Sequence, residues 1–355
     1  MIKYIGSKRV LVPAITALVR SLPEVRSVLD LFSGTSRVGH ALKGAGYQVI
    51  ANDHNAYAAT LARCYVEADR EDVLDDVQKL VRELNALPGR PGYFTETFCV
   101  RSRFFQPKNG ERVDAIREAI AKKGLPPELE AVMLVSLMEA ADRVDSTTGV
   151  QMAYLKEWAP RAFHDLELRV PEVLPRARHG KGAALQREAI DAAREVEVDV
   201  AYLDPPYNQH KYLGNYHVWE SLVLWDKPEV YGTACKRVDC RERASAFNSK
   251  RQFEAAFASL IATLRARWII VSFNDEGYLA REDAERLLGT RGAVHTIEHD
   301  FKRYVGAQIG IYNPAGEKVG KVSHLRNKEF LYVVGPEAIA TSDAVGTSAQ
   351  LMLGE

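Results

Sequence analysis

Trp268 to Phe273 reads WIIVSF, an almost unbroken apolar run of the kind found in strands buried on both faces. Sheets covered on both sides are parallel and helix-flanked, so this stretch points to an α/β fold. Val28-Leu29-Asp30-Leu31-Phe32 is a second short apolar run, closed by Ser33-Gly34, and Val38 to Lys43 then carries helical spacing. A strand, a tight turn and a helix start follow one another there. Gln48 to Asn52 reads as a further strand ending in Asp53, and Val198 to Leu203 resumes the same pattern. Val294 to Phe301 and Glu329 to Val334 alternate more and suit an antiparallel pair at one edge. Between them, from about Tyr57 to Ala183, Leu/Val/Ala periodicity with Pro-Gly breaks predicts a mainly helical insert.

The chain has 355 residues, enough for one α/β core and a large insertion. Its 46% apolar and 26% charged residues are those of an ordinary soluble protein, and no run of about 18 apolar residues suggests a membrane span. MIKYIGSKRV lacks the apolar centre of a signal peptide, so a cytoplasmic location is expected. Four irregularly spaced cysteines, Cys64, Cys99, Cys235 and Cys240, offer neither a disulfide framework nor a CxxC metal pair, and no metal is expected. The 47 basic and 47 acidic residues cancel, less basic than a nucleic-acid binder leads one to expect. Local imbalance matters more: Phe98 to Lys123 holds seven basic residues against three acids.

DLFSGTSRVG, Asp30 to Gly39, places glycines where backbone must approach a ligand, at the carboxyl end of a strand. It lacks the Lys-Ser/Thr of a P-loop and the third glycine of the dinucleotide fingerprint. Alone, it reads equally well as a structural turn. Asp30 would repel a pyrophosphate but suits the ammonium of an amino-acid-bearing ligand, which favours S-adenosylmethionine over NAD or ATP. Asp53 follows Asp30 at nearly the spacing at which a second strand presents a carboxylate to a ribose.

Asp204-Pro205-Pro206-Tyr207 is the sharpest feature. Prolines remove backbone donors and fix φ while leaving carbonyls to accept. A carboxylate and a rigid carbonyl, each accepting one N–H of an exocyclic base amine, would pull that nitrogen towards tetrahedral geometry and aim its lone pair at a methyl donor. Tyr207 supplies a face on which an extruded base can stack. The plain alternative is a rigid exit turn.

In order, KYIGSK, DLFSGTSRVG, Asp53 and DPPY resemble the Dam-like, alpha-order N6-adenine DNA methyltransferases over nearly the whole chain. The resemblance implies a Rossmann-like methyltransferase sheet, mostly parallel with an antiparallel edge strand, and an inserted target-recognition domain. Residues 1–60 and 184–336 would form the catalytic domain, 61–183 the insert and 337–355 a flexible tail. It assigns S-adenosylmethionine to Tyr4, Lys8, Phe32, Ser33 and Gly34 besides Asp30, and the ribose hydroxyls to Asp53. The family's Asp before the DPPY strand, which contacts the cofactor adenine, is matched here by Glu188, a departure in residue type. RSRFFQPKNG, with Arg101, Arg103, Phe104, Phe105, Lys108 and Asn109, resembles a DNA-proximal segment. Tyr212, Asn215 and Tyr216 after DPPY, and Arg303 and Tyr304 in Phe301-Lys302-Arg303-Tyr304, are further expected DNA-side contacts, although Tyr212 to His217 also reads as aromatic packing under a loop. The implied partners are double-stranded DNA and, functionally, a cognate restriction endonuclease, with the chain acting as a monomer. Rival acceptors are an RNA amine, cytosine N4 or a protein glutamine. A nucleic-acid-binding relative without turnover and a nicotinamide oxidoreductase are the rivals from other classes.

Overall fold

The computed structural model describes residues 1–206, 211–274, 277–302, 311–312, 318–320 and 326–336. Seven strands form the main sheet: β1 Ser27–Asp30, β2 Gln48–Asn52, β3 Ala183–Leu185, β4 Glu197–Leu203, β5 Arg265–Asn274, β6 Ala293–Lys302 and β7 Arg326–Gly335. Their order is β3-β2-β1-β4-β5-β7-β6. Pairing is parallel from β3 through β5, and β7 runs antiparallel to both β5 and β6. The alternating late runs therefore lie at one edge, as their pattern predicts. The chain leaves β1 towards β2 on one side and returns to β4 on the other, so the order reverses between β1 and β4. Crevices at the carboxyl ends of strands at such a reversal are where open α/β sheets bind ligands.

The continuous apolar runs split by pleat between two cores. Leu29, Ala201, Leu203, Ile269, Val271 and Phe273 face one helical layer, which includes Phe253–Thr263 and Ala189–Glu195. Val28, Val200, Trp268 and Ile270 face another, with Leu18 and Val19 of Val12–Ser21 and Leu42 of Arg37–Gly44. Burial of each such aliphatic side chain stabilises by about 1.5–3 kcal/mol. Registers are correspondingly determined, because a one-residue slip would exchange the two faces.

Between β2 and β3 the chain is helical through Arg70–Asn85, Pro107–Lys123 and Pro127–Arg143 and then irregular. A third core joins these helices around Phe94, Phe98, Phe104 and Phe105. It also takes in Tyr216, Val218, Trp219 and Leu222, which follow β4 in sequence. Asp114 braces this layer by accepting from the backbone N–H groups of Gly92, Phe94 and Thr95 at 2.8 to 2.9 Å and from the Thr95 hydroxyl at 2.6 Å. All four cysteines are buried and free. Among the described residues no helix is long and apolar enough to cross a membrane.

Candidate active site

The turn after β1 hangs on the end of β2. The Ser33 N–H donates to the Asn52 carbonyl at 2.9 Å, and the Gly34 N–H to Asp53 Oδ2 at 3.1 Å. Gly34 sits at φ +49°, and a Cβ there would meet the Tyr4 ring at 3.3 Å, so both conformation and close approach call for glycine. Asp53 Oδ1 also accepts from the Asn55 N–H at 2.9 Å. Asp30 is buried behind the turn, where the Gly39 N–H donates to its Oδ2 at 3.0 Å. Burial, with smaller contributions from Asp204 and Asp53, pushes its carboxyl up to about 7.

Asn52 is a site residue that motif reading overlooks. Its Nδ2 donates to the carbonyls of Leu31 and Arg187, both at 3.1 Å, and its Oδ1 accepts from the Arg187 N–H at 3.1 Å. That double bridge sets Glu188 at the N-cap of Ala189–Glu195. An amide ending a strand immediately before an acid is the only hint of it in the sequence.

Across the crevice, Asp204 leaves β4 beside Lys8. The Lys8 ammonium lies 3.2 Å from Asp204 Oδ1 and also ion-pairs with Glu329 of β7. Side-chain exposures are 8% for Lys8, 10% for Glu329 and 20% for Asp204, so a cation is shared between two largely buried carboxylates. Burial pushes Asp204 up to about 6; Lys8 opposes the shift and Glu329 adds to it. Pro205 is buried and Pro206 partly exposed, while Tyr207 lies outside the described residues. Tyr4 stacks between Tyr212, at 5.3 Å and 9°, and Tyr216, at 4.5 Å and 13°. The Tyr216 hydroxyl is bonded to the Ile5 N–H at 2.6 Å.

One cavity gathers Tyr4, Lys8, Asp30, Asp53, Glu188 and Asp204. Phe32, Ser33, Gly34, Pro206 and Tyr212 line it too, as do Arg187 and Phe247, which no motif singled out. Phe247 meets Phe32 edge-on at 5.2 Å.

The expected DNA-side residues divide. Arg101 and Lys108 are exposed and Arg103 half-buried, stacked over the Trp158 ring at 4.5 Å. Lys108 also reaches Asp165 at 2.5 Å. Asn109, by contrast, is buried, its amide bonded to the Ala162 and His164 carbonyls and the Leu166 N–H. Phe104 and Phe105 are core residues. Asn215 and Tyr216 are buried too, so they present no surface to a duplex and instead back the Tyr4 stack and the helices. The aromatic segment after the acid-Pro-Pro turn serves packing there because Tyr216 closes against Tyr4 and Ile5 of the N-terminal segment. Arg303 and Tyr304 lie outside the described residues.

A ligand crevice at the reversal point of a mostly parallel sheet, with an acid and two prolines at its rim, places the chain among Rossmann-like α/β ligand-binding proteins. Residues 4–268 match the family described as D12 class N6 adenine-specific DNA methyltransferase, and the chain belongs to that family. It is 31% identical over 313 residues to the Type II methyltransferase M.FokI of Planomicrobium okeanokoites, covering 83% of this chain and 48% of that protein. With the Type II methyltransferase M.NlaIII of Neisseria lactamica it shares 28% over 309 residues, covering 85% and 90%. The Modification methylase StsI of Streptococcus sanguinis is 27% identical over 326 residues, covering 86% and 49%. The chain thus spans about half the length of two of these relatives and nine tenths of the third. Membership of a methyltransferase family implies S-adenosylmethionine as the methyl donor in general.

Proposed function

We propose that the chain transfers a methyl group from S-adenosylmethionine to N6 of an adenine flipped out of a specific duplex DNA sequence, as the modification partner of a restriction endonuclease. The observation that carries this is Asp204, followed by two prolines, on the same cavity as Asp30 and Asp53. The sulfonium of the bound donor supplies an electrophilic methyl group. Asp204 and the Pro205 carbonyl accept the two amine hydrogens and hold the nitrogen in line, so their main contribution is alignment. Tyr207 stacks on the base. Once the bond to carbon forms, the methylated ammonium is acidic enough to lose its proton without a strong base.

The cavity suits the donor. A Cβ on Gly34 would fill the cradle beside Tyr4, and Asp53 has carboxylate lone pairs to spare for ribose hydroxyls. Asp30 offers a buried anion for the ammonium, with Lys8, Phe32, Ser33 and Glu188 completing the wall. Removing Asp53's charge-assisted bonds should weaken donor binding about tenfold to a hundredfold in Asp53→Ala, measured by calorimetry. Because Asp30 is partly protonated near neutrality, binding of a cation must return it to the ionised form. Affinity should therefore rise with pH up to about 7 and then level off, with proton release detectable in buffers of different ionisation enthalpy. A pH-independent affinity between about 6 and about 8, one unit either side of that value, would separate Asp30 from the ligand.

Residues 1–60 and 184–336 are assigned to catalysis and 61–183 to target recognition, with 337–355 as a tail. The core shared with Tyr216 to Leu222 argues for including that stretch in the recognition layer. Arg101, Arg103 and Lys108 are the described basic residues assigned to the duplex, of which phosphate and base contacts are separate classes. The chain is assigned to the cytoplasm and to action as a monomer. Incubation with radiolabelled S-adenosylmethionine and genomic DNA lacking adenine methylation, followed by sequencing for N6-methyladenine, tests the function. One methylated motif supports it, and label in RNA or cytosine instead would replace the acceptor.

A further inference from the structure

Glu329 stands outside residues 4–268 and outside every motif read from the sequence, yet from the antiparallel part of the sheet it reaches Lys8, which lines the site. On β7 it pairs in register with Asn274 of β5 and His299 of β6, and its carboxylate accepts from the Ser272 hydroxyl at 2.9 Å. The same oxygen, Oε1, ion-pairs with Lys8, whose ammonium lies 3.2 Å from Asp204. Three charged groups from the two ends and the middle of the chain therefore share one buried spot.

We propose that Glu329 is a positioning residue for methyl transfer: it holds the Lys8 ammonium back so that Asp204 keeps an oxygen for the substrate amine. This rests on the function proposed above. A buried ammonium must have an anionic partner, and desolvation makes a lone charge there costly. With Glu329 present, Lys8 satisfies that need without closing on Asp204. With a neutral residue in its place, Asp204 is the carboxylate left beside the ammonium among the described residues, and the Lys8 N–H groups compete with the adenine amine for its oxygens. The groups facing Glu329 are Lys8 from the N-terminal segment, Asp204 after β4, Ser272 on β5 and His299 on β6, whose protonated form burial disfavours and Glu329 favours. Asp204 in turn raises Asp30. Glu329 raises Asp204, so its neutralisation lowers the pH at which Asp204 protonates.

The test compares the full chain with Glu329→Gln, which keeps side-chain shape and one acceptor. Single-turnover methylation of duplex DNA at saturating donor should fall about tenfold to a hundredfold, the scale of a misplaced reacting group, while KM for DNA, donor affinity and Tm stay put. Asp204, followed by carboxyl 13C NMR and assigned with Asp204→Asn, should titrate below its wild-type midpoint near 6. An unchanged rate with an unmoved titration overturns the inference. So does a rate that falls only in step with Tm, which would make the ion pair a fastening of the N-terminus to the sheet. If Glu329→Gln does not fold, Glu329→Asp carries the test: its shorter side chain draws the carboxylate away from Lys8 and Asp204, with a smaller shift in the same direction expected and none overturning it. Wild-type chain that methylates no adenine sinks the proposed function instead, and the carboxyl titration still decides the Glu329 assignment.

Discussion

Asp204→Ala loses methyl transfer by at least about a thousandfold while the donor binds within a few-fold of wild type, because in the proposed mechanism the lost carboxylate holds the amine and the donor contacts fall to the other acids. The substitution should leave the fold intact. Lys8 retains Glu329, so no buried cation is stranded. Rates under single turnover report the chemical step, and calorimetry reports donor binding. Asp204→Asn keeps an acceptor without the charge and should fall between the two. A normal rate in the alanine variant would remove Asp204 from the mechanism and, with it, the reason for the two prolines that follow.

The second large effect belongs to Glu220, which no motif includes. It is fully buried after β4 and accepts from the Ala56 N–H at 3.2 Å and the Tyr57 N–H at 2.9 Å, the first turn of Ala56–Ala62. Its other partner is the Arg243 guanidinium at 2.7 Å, which also donates to the His54 carbonyl at 3.2 Å. Glu220→Ala leaves two buried helix N–H groups without their acceptor and takes from Arg243 its nearer carboxylate, Asp239 lying at 3.8 Å, a loss of about 3–5 kcal/mol. Urea unfolding measures it. The segment so released runs directly on from Asp53, so donor affinity should fall as well. Stability within about 1 kcal/mol of wild type, an ordinary surface effect, would show that water or a shifted Arg243 replaces the bonds.

Strand runs were readable in the chain because the sheet's hydrophobic periods are local: WIIVSF and Val198 to Leu203 could be little else, and the late alternating pair declared itself an edge. The acids at strand ends were readable too, since Asp30, Asp53 and Asp204 each follow an apolar run and precede a turn. Parallel strands put those ends on one side of the sheet, which is why three motifs spread over 175 residues converge on one cavity. Family resemblance added roles to positions that periodicity had already aligned.

Side-chain direction was not readable where composition allows two environments. RSRFFQPKNG mixes basic and aromatic residues, as a duplex-facing loop would, yet packing sends Phe104, Phe105 and Asn109 inward and leaves Arg101 and Lys108 outside. Tyr216 follows the same logic, its ring taken up by Tyr4 and its hydroxyl by the Ile5 N–H. Glu220 and Glu329 carry no local signal, and Asn52 only its place at a strand end before an acid, because a buried polar group is defined by its partners, and those lie across strands or far along the chain. The strand runs and the acids at their ends were thus local properties of the polypeptide, whereas the order of the strands, which charge meets Lys8, and which aromatic ring reaches the surface came from long-range closure of the sheet and its helical layer.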